Sequence, residues 1–193
     1  MKKCFLSALI LFVSCGWLVA TAAAVAADDS KTFDIAEGAF KLPVPEGWKS
    51  KQPATRIVEH EFEVPAAEGD ERPGRVTVMG AGGSIDDNIN RWCGQFEQPD
   101  GSNTRDKAVI KKHAIAGQDV TVVDISGTYD DRPPFAAAKG TQRPDYRMLA
   151  AIIETKRAGQ PTGNYFIKFY GPGKTVGQNE AAFKKMIDGL EAK

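Results

Sequence analysis

Apolar and polar positions alternate along much of this chain, and the period changes at a few well-marked places. Between residues 56 and 64, Val58, His60, Phe62 and Val64 fall on one side and Glu59, Glu61 and Glu63 on the other. A period of two predicts a half-buried strand, with His60 as a core histidine whose ring nitrogens are satisfied. Shorter runs predict strands over 39–42, stopped by Pro43 and Pro45, and over 75–79. A turn at Pro45-Glu46-Gly47 delivers Trp48 to the core.

At residue 84 the period lengthens. Ile85, Ile89, Trp92 and Phe96 lie at i, i+4, i+7 and i+11, one stripe of a helix. Ser84 precedes it as an N-cap, and Asp86 and Asp87 occupy the first turn, where the helix dipole favours negative charge. The period of two then returns, predicting strands over 107–115, 119–128, 146–154 and 164–170. The β-branched 119–128 segment reads as a central strand. Phe183, Met186, Ile187 and Leu190 form the buried stripe of a closing helix over 178–190.

Most links after residue 105 are too short for parallel crossovers, so the strands are antiparallel. The fold class is α+β, a central antiparallel sheet flanked by helices, in one domain over 39–192. A polar stretch over 28–38 reads as a flexible leader. The segment 129–145 is long for a hairpin connection and carries Pro133-Pro134, Gly140 and Pro144, so it is expected to be a functional loop.

The first 27 residues read as a signal peptide: Lys2 and Lys3, an apolar run, then small residues up to Ala27 before Asp28-Asp29. Two rivals stand beside it. The run is long enough for an uncleaved anchor, and Ser14-Cys15 allows a lipoprotein signal that would tether the domain to a membrane. The expectation is an exported protein, periplasmic or extracellular, with no membrane span after cleavage. Cys93 is then the only cysteine left, which excludes an intrachain disulfide.

Charge narrows the partners. There are 25 Lys+Arg and 25 Asp+Glu among 193 residues. That balance argues against nucleic acid, which calls for a basic surplus. An unidentified protein or small ligand of the cell envelope is the expected partner, and no cofactor is implied.

Several motifs invite chemistry. Gly171-Pro172-Gly173-Lys174-Thr175 ends like a phosphate loop, but Lys168 stands where its first glycine belongs. Cys93 and His113 offer a thiol–imidazole pair for a thiol or hydrolase-type enzyme, with Asp119 or Asp124 to orient the ring. The alternative is a small buried thiol. Asp86-Asp87 and Asp130-Asp131 lack the spacing of a calcium loop, and no metal-ligand spacing occurs. Arg91 and Gln95, at i and i+4 on the first helix, are candidate binding residues together with Tyr129, Arg132, Phe135, Arg143 and Arg147 of the long loop and its flank.

Phe40-Lys41-Leu42-Pro43 with Pro45-Glu46-Gly47-Trp48, and the closing Phe183-Lys184-Lys185-Met186-Ile187, give the chain its resemblance to the PsbP-like fold, named after an extrinsic subunit of photosystem II. Residues 88–96, 123–129 and 146–152 resemble a group of secreted bacterial proteins of that shape. The resemblance spans roughly 39–190. It implies a central antiparallel sheet between helical layers, and a noncatalytic binding or assembly role, with a small-ligand carrier as the alternative.

Overall fold

The computed structural model describes residues 31–132 and 140–193. The chain opens with β1 (Thr32–Ile35), β2 (Phe40–Pro43), β3 (Lys49–Lys51), β4 (His60–Val64) and β5 (Gly74–Ala81). Helix α1 (Ile85–Cys93), the short β6 (Phe96–Glu97) and α2 (Thr104–Lys107) follow. Then come β7 (Val109–Ile115), β8 (Gln118–Asp131), β9 (Thr141–Arg157) and β10 (Gln160–Pro172). The chain closes with α3 (Gly173–Gln178), α4 (Glu180–Asp188) and β11 (Glu191–Ala192).

The main sheet runs β3-β4-β5-β10-β9-β8-β6, with β7 also paired to β8, and every pairing is antiparallel. The α+β class stands, although strand dominates. One face is covered by helix, as expected. The other is covered by a small sheet, β1-β2-β11, together with α3 and α4. The flanking layers are therefore not both helical.

Strand alternation supplies two cores from the same strands. Leu149, Ala151, Ile153, Ile167 and Phe169 point to the small sheet and α4, where they meet Leu42, Trp48, Phe183 and Met186. Met148, Ala150, Ile152 and Phe166 point the other way, to Ile89, Trp92 and Phe96. Trp92 meets the Phe166 ring edge-on at 5.4 Å between centroids. Ser84 caps α1 as read, accepting a bond from the Asp87 amide at 3.1 Å. His60 accepts or donates at Nε2 to the Asp34 carbonyl at 2.7 Å, and its ring lies against Phe33.

Three expectations change. Residues 32–35, taken as leader, form β1 and pair with β2, because Phe33 and Ile35 alternate inward. The closing helix is α4, and a further short helix, α3, precedes it, the two meeting at Asn179. Among its described residues the 129–145 loop is mostly ladder: β8 and β9 stay paired out to Asp131 opposite Thr141. Pro144 and Asp145 are absorbed as a bulge, with Asp145 in the left-handed region at φ 56°. The signal-peptide reading and Phe135 lie outside the described residues.

Each core holds a buried tryptophan, Trp48 or Trp92. Trp48→Ala and Trp92→Ala should each cost about 3–5 kcal/mol, read by denaturant unfolding. Wild-type stability in either variant would contradict the core placement.

Candidate functional site

Helix α1 has only nine residues, so it covers one part of its face of the main sheet. Beyond its reach that face is lined by Arg75 from β5, Tyr170 from β10, Tyr146 from β9 and Tyr129 from β8. These side chains border a cleft of about 280 Å³, with Arg72 and Lys51 at its rim. Gly74 and Gly171 form part of its wall, and a Cβ on Gly171 would come within 2.9 Å of the Gly74 Cα. The glycine pair therefore lets two strands approach closely.

The three tyrosines form one aromatic group. Tyr129 and Tyr146 lie parallel at 5.9 Å, and Tyr129 meets Tyr170 at 5.5 Å. Burial raises the hydroxyl pKa of all three, so they stay neutral donors. Arg75 donates from Nη1 to the Tyr170 hydroxyl at 2.6 Å. Its Nε and Nη2 hold both Glu61 oxygens at 2.9 and 2.8 Å, a bidentate pair. That pairing keeps Arg75 charged but largely neutralised.

On the same face, one register step toward α1, stands Lys168, between Thr77 and Ala150 on the neighbouring strands. Its ammonium lies 5.8 Å from the Trp92 ring centroid and 5.6 Å from that of Tyr170. Among the described residues it has no hydrogen bond and no ion pair. Burial, then the charges of Arg91 and Arg75, lower its pKa from 10.5 to about 8. The sequence carried a signal for it: a single lysine inside the apolar run Tyr165-Phe166-Ile167-Lys168-Phe169-Tyr170.

The sequence-predicted residues divide between the faces. Arg91, Gln95 and Tyr129 lie on the α1 side. Arg91 donates to the Asn88 side chain. The Gln95 carbonyl accepts from the Asp130 amide at 2.8 Å, while its Oε1 is buried without a partner. Arg132 and Arg143 sit at the tip of the β8–β9 hairpin, paired with Asp130 and Asp131 at 3.3 and 3.2 Å. Asp130 also accepts from the Gly140 amide at 2.7 Å and from Gln142 at 3.1 Å, so it ties β8 to the start of β9. Arg147 is placed apart from the others. It lies on the opposite face, where it holds Asp124 through two bonds of 2.8 and 2.7 Å and Glu180 of α4 at 2.8 Å.

The thiol–imidazole pair is not formed. His113 is exposed on β7 opposite Val120, on the small-sheet side, because directly paired residues share a face. Cys93 is buried on the α1 side. Asp124 is held by Arg147, and Asp119 by Lys156 at 2.6 Å. Burial pushes the Cys93 thiol up, with Arg105 opposing. Cys93 borders a second cleft, about 550 Å³, between α1 and the 97–105 loop. Several polar groups there serve the loop itself: Ser102 bonds Asp100, Asn103 caps α2, and Gln98 reaches the Ser126 carbonyl, while Arg105 holds Asp86 through Nη2 and its Nη1 is buried without a partner among the described residues. No group of three metal-ligating side chains occurs among the described residues.

No protein-family profile and no curated protein sequence matches the chain significantly. Solved structures do. PsbP (CyanoP) of the cyanobacterium Synechocystis sp. PCC 6803 matches over 91% of this chain and 99% of its own, at 12% identity and TM-score 0.49. LpqN, a Mycobacterium tuberculosis protein involved in cell envelope biogenesis, matches over 86% of each chain at 9% identity and TM-score 0.50. The likeness to LpqN is one of fold alone.

Two outcomes test these electrostatics. Lys168 binds a proton less readily when folded, so its charge destabilises the fold below about pH 8, and this penalty fades as pH rises toward 10.5. Lys168→Met should stabilise the protein at pH 7 by roughly 2–3 kcal/mol, a gain that vanishes above pH 10.5. Destabilisation at pH 7 would contradict the unpaired placement. Cys93 should react with a thiol probe far more slowly in the native than in the denatured protein. Equal rates would contradict its burial.

Proposed function

We propose that this protein is an exported binding or assembly module of the cell envelope, and that its working site is the tyrosine cleft beside α1. The observation that carries this reading is the cleft itself. Aromatic rings and a buffered arginine gather on the part of the sheet that α1 leaves uncovered. Tyrosine gives a large contact area for little entropy loss and a hydroxyl for orientation, which is why such groups are enriched at binding surfaces.

Other features agree. Cys93 and His113 lie on opposite faces of the sheet, and the acids that would orient the histidine are engaged elsewhere. No helix among the described residues is long and apolar enough to cross a membrane. The leader reads as an export signal, and LpqN, which shares the fold, works in envelope biogenesis. A second reading, a small-ligand carrier, is favoured by the cleft's aromatic lining. About 280 Å³ is at the lower bound for small-molecule pockets, roughly 300 Å³.

The test compares capture from envelope extract by the wild-type protein and by two variants. Tyr146→Ala with Arg72→Ala strips the cleft wall and rim. Lys111→Ala with Lys112→Ala alters the exposed edge strand β7 and serves as control. The cleft variant should lose capture at least about tenfold, the loss of roughly 1.4 kcal/mol of binding, while keeping its melting temperature within a few degrees. Undiminished capture by a folded cleft variant, or equal loss in the control, would overturn the assignment.

A further inference from the structure

We propose that the tyrosine cleft takes a proline-rich, extended segment of a partner protein, whose rings lie against Tyr129, Tyr146 and Tyr170 and whose carbonyls accept from the tyrosine hydroxyls. This deepens the preceding reading and rests on it, because it names the occupant of the same cleft.

The charges of the cleft are balanced. Lys51, Arg72 and Arg75 line it, and so do Glu61, Glu63 and Asp131. Each of these acids already holds a cation: Glu61 holds Arg75 at 2.8 Å, Glu63 holds Lys51 at 3.4 Å, and Asp131 holds Arg143 at 3.2 Å. An ionic ligand of either sign would gain little net attraction here and would meet its own charge on one wall. The occupant that this lining suits is neutral.

The hydrogen-bonding capacity left over is that of donors. The Tyr170 hydroxyl accepts from Arg75 at 2.6 Å, but its own proton has no acceptor among the described residues. The Tyr129 and Tyr146 hydroxyls have no hydrogen-bond partner among those residues. Neither oxygen is sealed in the way that Gln95 Oε1 and Arg105 Nη1 are, so both are open to solvent and to a ligand. Arg72, at the rim, has no ion pair among the described residues. A neutral occupant of such a cleft is rich in acceptors and poor in donors. A proline segment has that composition, because each proline keeps its carbonyl and lacks an N–H. In the polyproline II form those carbonyls make no internal hydrogen bonds and are free to accept. A sugar brings a proton on every hydroxyl, and the acids that would accept it are engaged. An ordinary extended peptide brings an N–H at every residue and meets the same difficulty.

The shape agrees. The cleft holds about 280 Å³, less than the roughly 300 Å³ at which enclosed small-molecule pockets begin. Lys51, Arg72, Pro73 and Asp131 at its border are exposed, so it opens to the surface and a chain can lie across it. The Tyr129 ring is parallel to that of Tyr146 and inclined by 46° to that of Tyr170. Aromatic-lined grooves recognise polyproline II segments, whose preformed backbone loses little entropy on binding.

The experiment titrates acetylated, amidated octaproline into protein carrying ¹³C-tyrosine and follows the ring resonances by NMR at constant ionic strength. A Gly-Ser peptide of equal length and maltohexaose are titrated in parallel. Octaproline should shift Tyr129, Tyr146 and Tyr170 saturably, and it should bind at least about tenfold more tightly than either comparison probe. Tyr129→Phe with Tyr146→Phe removes two donors and keeps both rings. Octaproline should bind this folded double variant about fivefold more weakly or worse. Tyr165→Phe, the same change on the opposite face, should leave binding unaltered. No saturable shift with octaproline, equal binding by the folded double variant, or equal or tighter binding of maltohexaose would overturn the proposal. The ranking of the three probes on the wild-type protein decides the matter even if the double variant does not fold. Cleft-dependent capture from extract without octaproline binding would remove this inference alone. Octaproline binding at the tyrosines with cleft-independent capture would remove the preceding reading and leave the proline groove standing.

Discussion

Strands β8, β9 and β10 carry apolar side chains on both faces, so water must be kept from both. The small sheet, α3 and α4 do this on one side. On the other side the work falls to α1. Its nine residues span about 14 Å at 1.5 Å per residue. β9 has 17 residues and extends roughly 55 Å. The helix cannot shield such a ladder from end to end. What lies past it is a gradation from aliphatic core to tyrosine to paired charge: Ile152, Phe166 and Met148 under α1, then Tyr170, Tyr129 and Tyr146, then Arg75 with Glu61. Tyrosine suits that boundary because its ring tolerates burial and its hydroxyl tolerates water. The cleft follows from this mismatch of lengths.

The two faces differ in how their charges are settled. On the α4 side, Arg147 is matched by Asp124 and Glu180, and the three groups tie the helix to the centre of the sheet. Removing one partner there would strand the others, which is the behaviour of a structural cluster. On the α1 side, Lys168 is unmatched. The same sheet thus carries one half-buried, ion-paired arginine and, on its other face, a lysine with no ion pair among the described residues. A position that costs stability without adding a contact is where function is sought.

Much of the fold was legible from period alone. Ile85, Ile89 and Trp92 with the Ser84 cap located α1, although Phe96, read as the next turn of its stripe, lies beyond the helix in β6; the β-branched 119–128 run located β8. The extension of the β8–β9 hairpin was not legible, because Pro144 ordinarily ends a strand. Only the pairing of Asp131 with Thr141 reveals that the ladder resumes past a bulge. β1 was hidden because four residues with one alternation look like leader until β2 is beside them. Site residues were harder still. Arg91, Gln95 and Tyr129 were found through helix spacing and loop position. Arg147 stands next to Met148 in sequence, yet its alternation phase sends it to the opposite face. Lys168 went unread although it interrupts an apolar run, and the cost of that interruption becomes visible only once the strand is known to be buried on both sides.

The central claim is that the uncovered end of the α1 face is where this protein meets its partner or ligand. The most direct measurement is backbone and side-chain chemical-shift mapping of the labelled protein against fractionated envelope extract. The account predicts that the perturbed resonances cluster on Tyr129, Tyr146, Tyr170, Arg75 and Lys168. Perturbations confined to β1, β2, β11 and α4, with the tyrosine cleft silent, would contradict it.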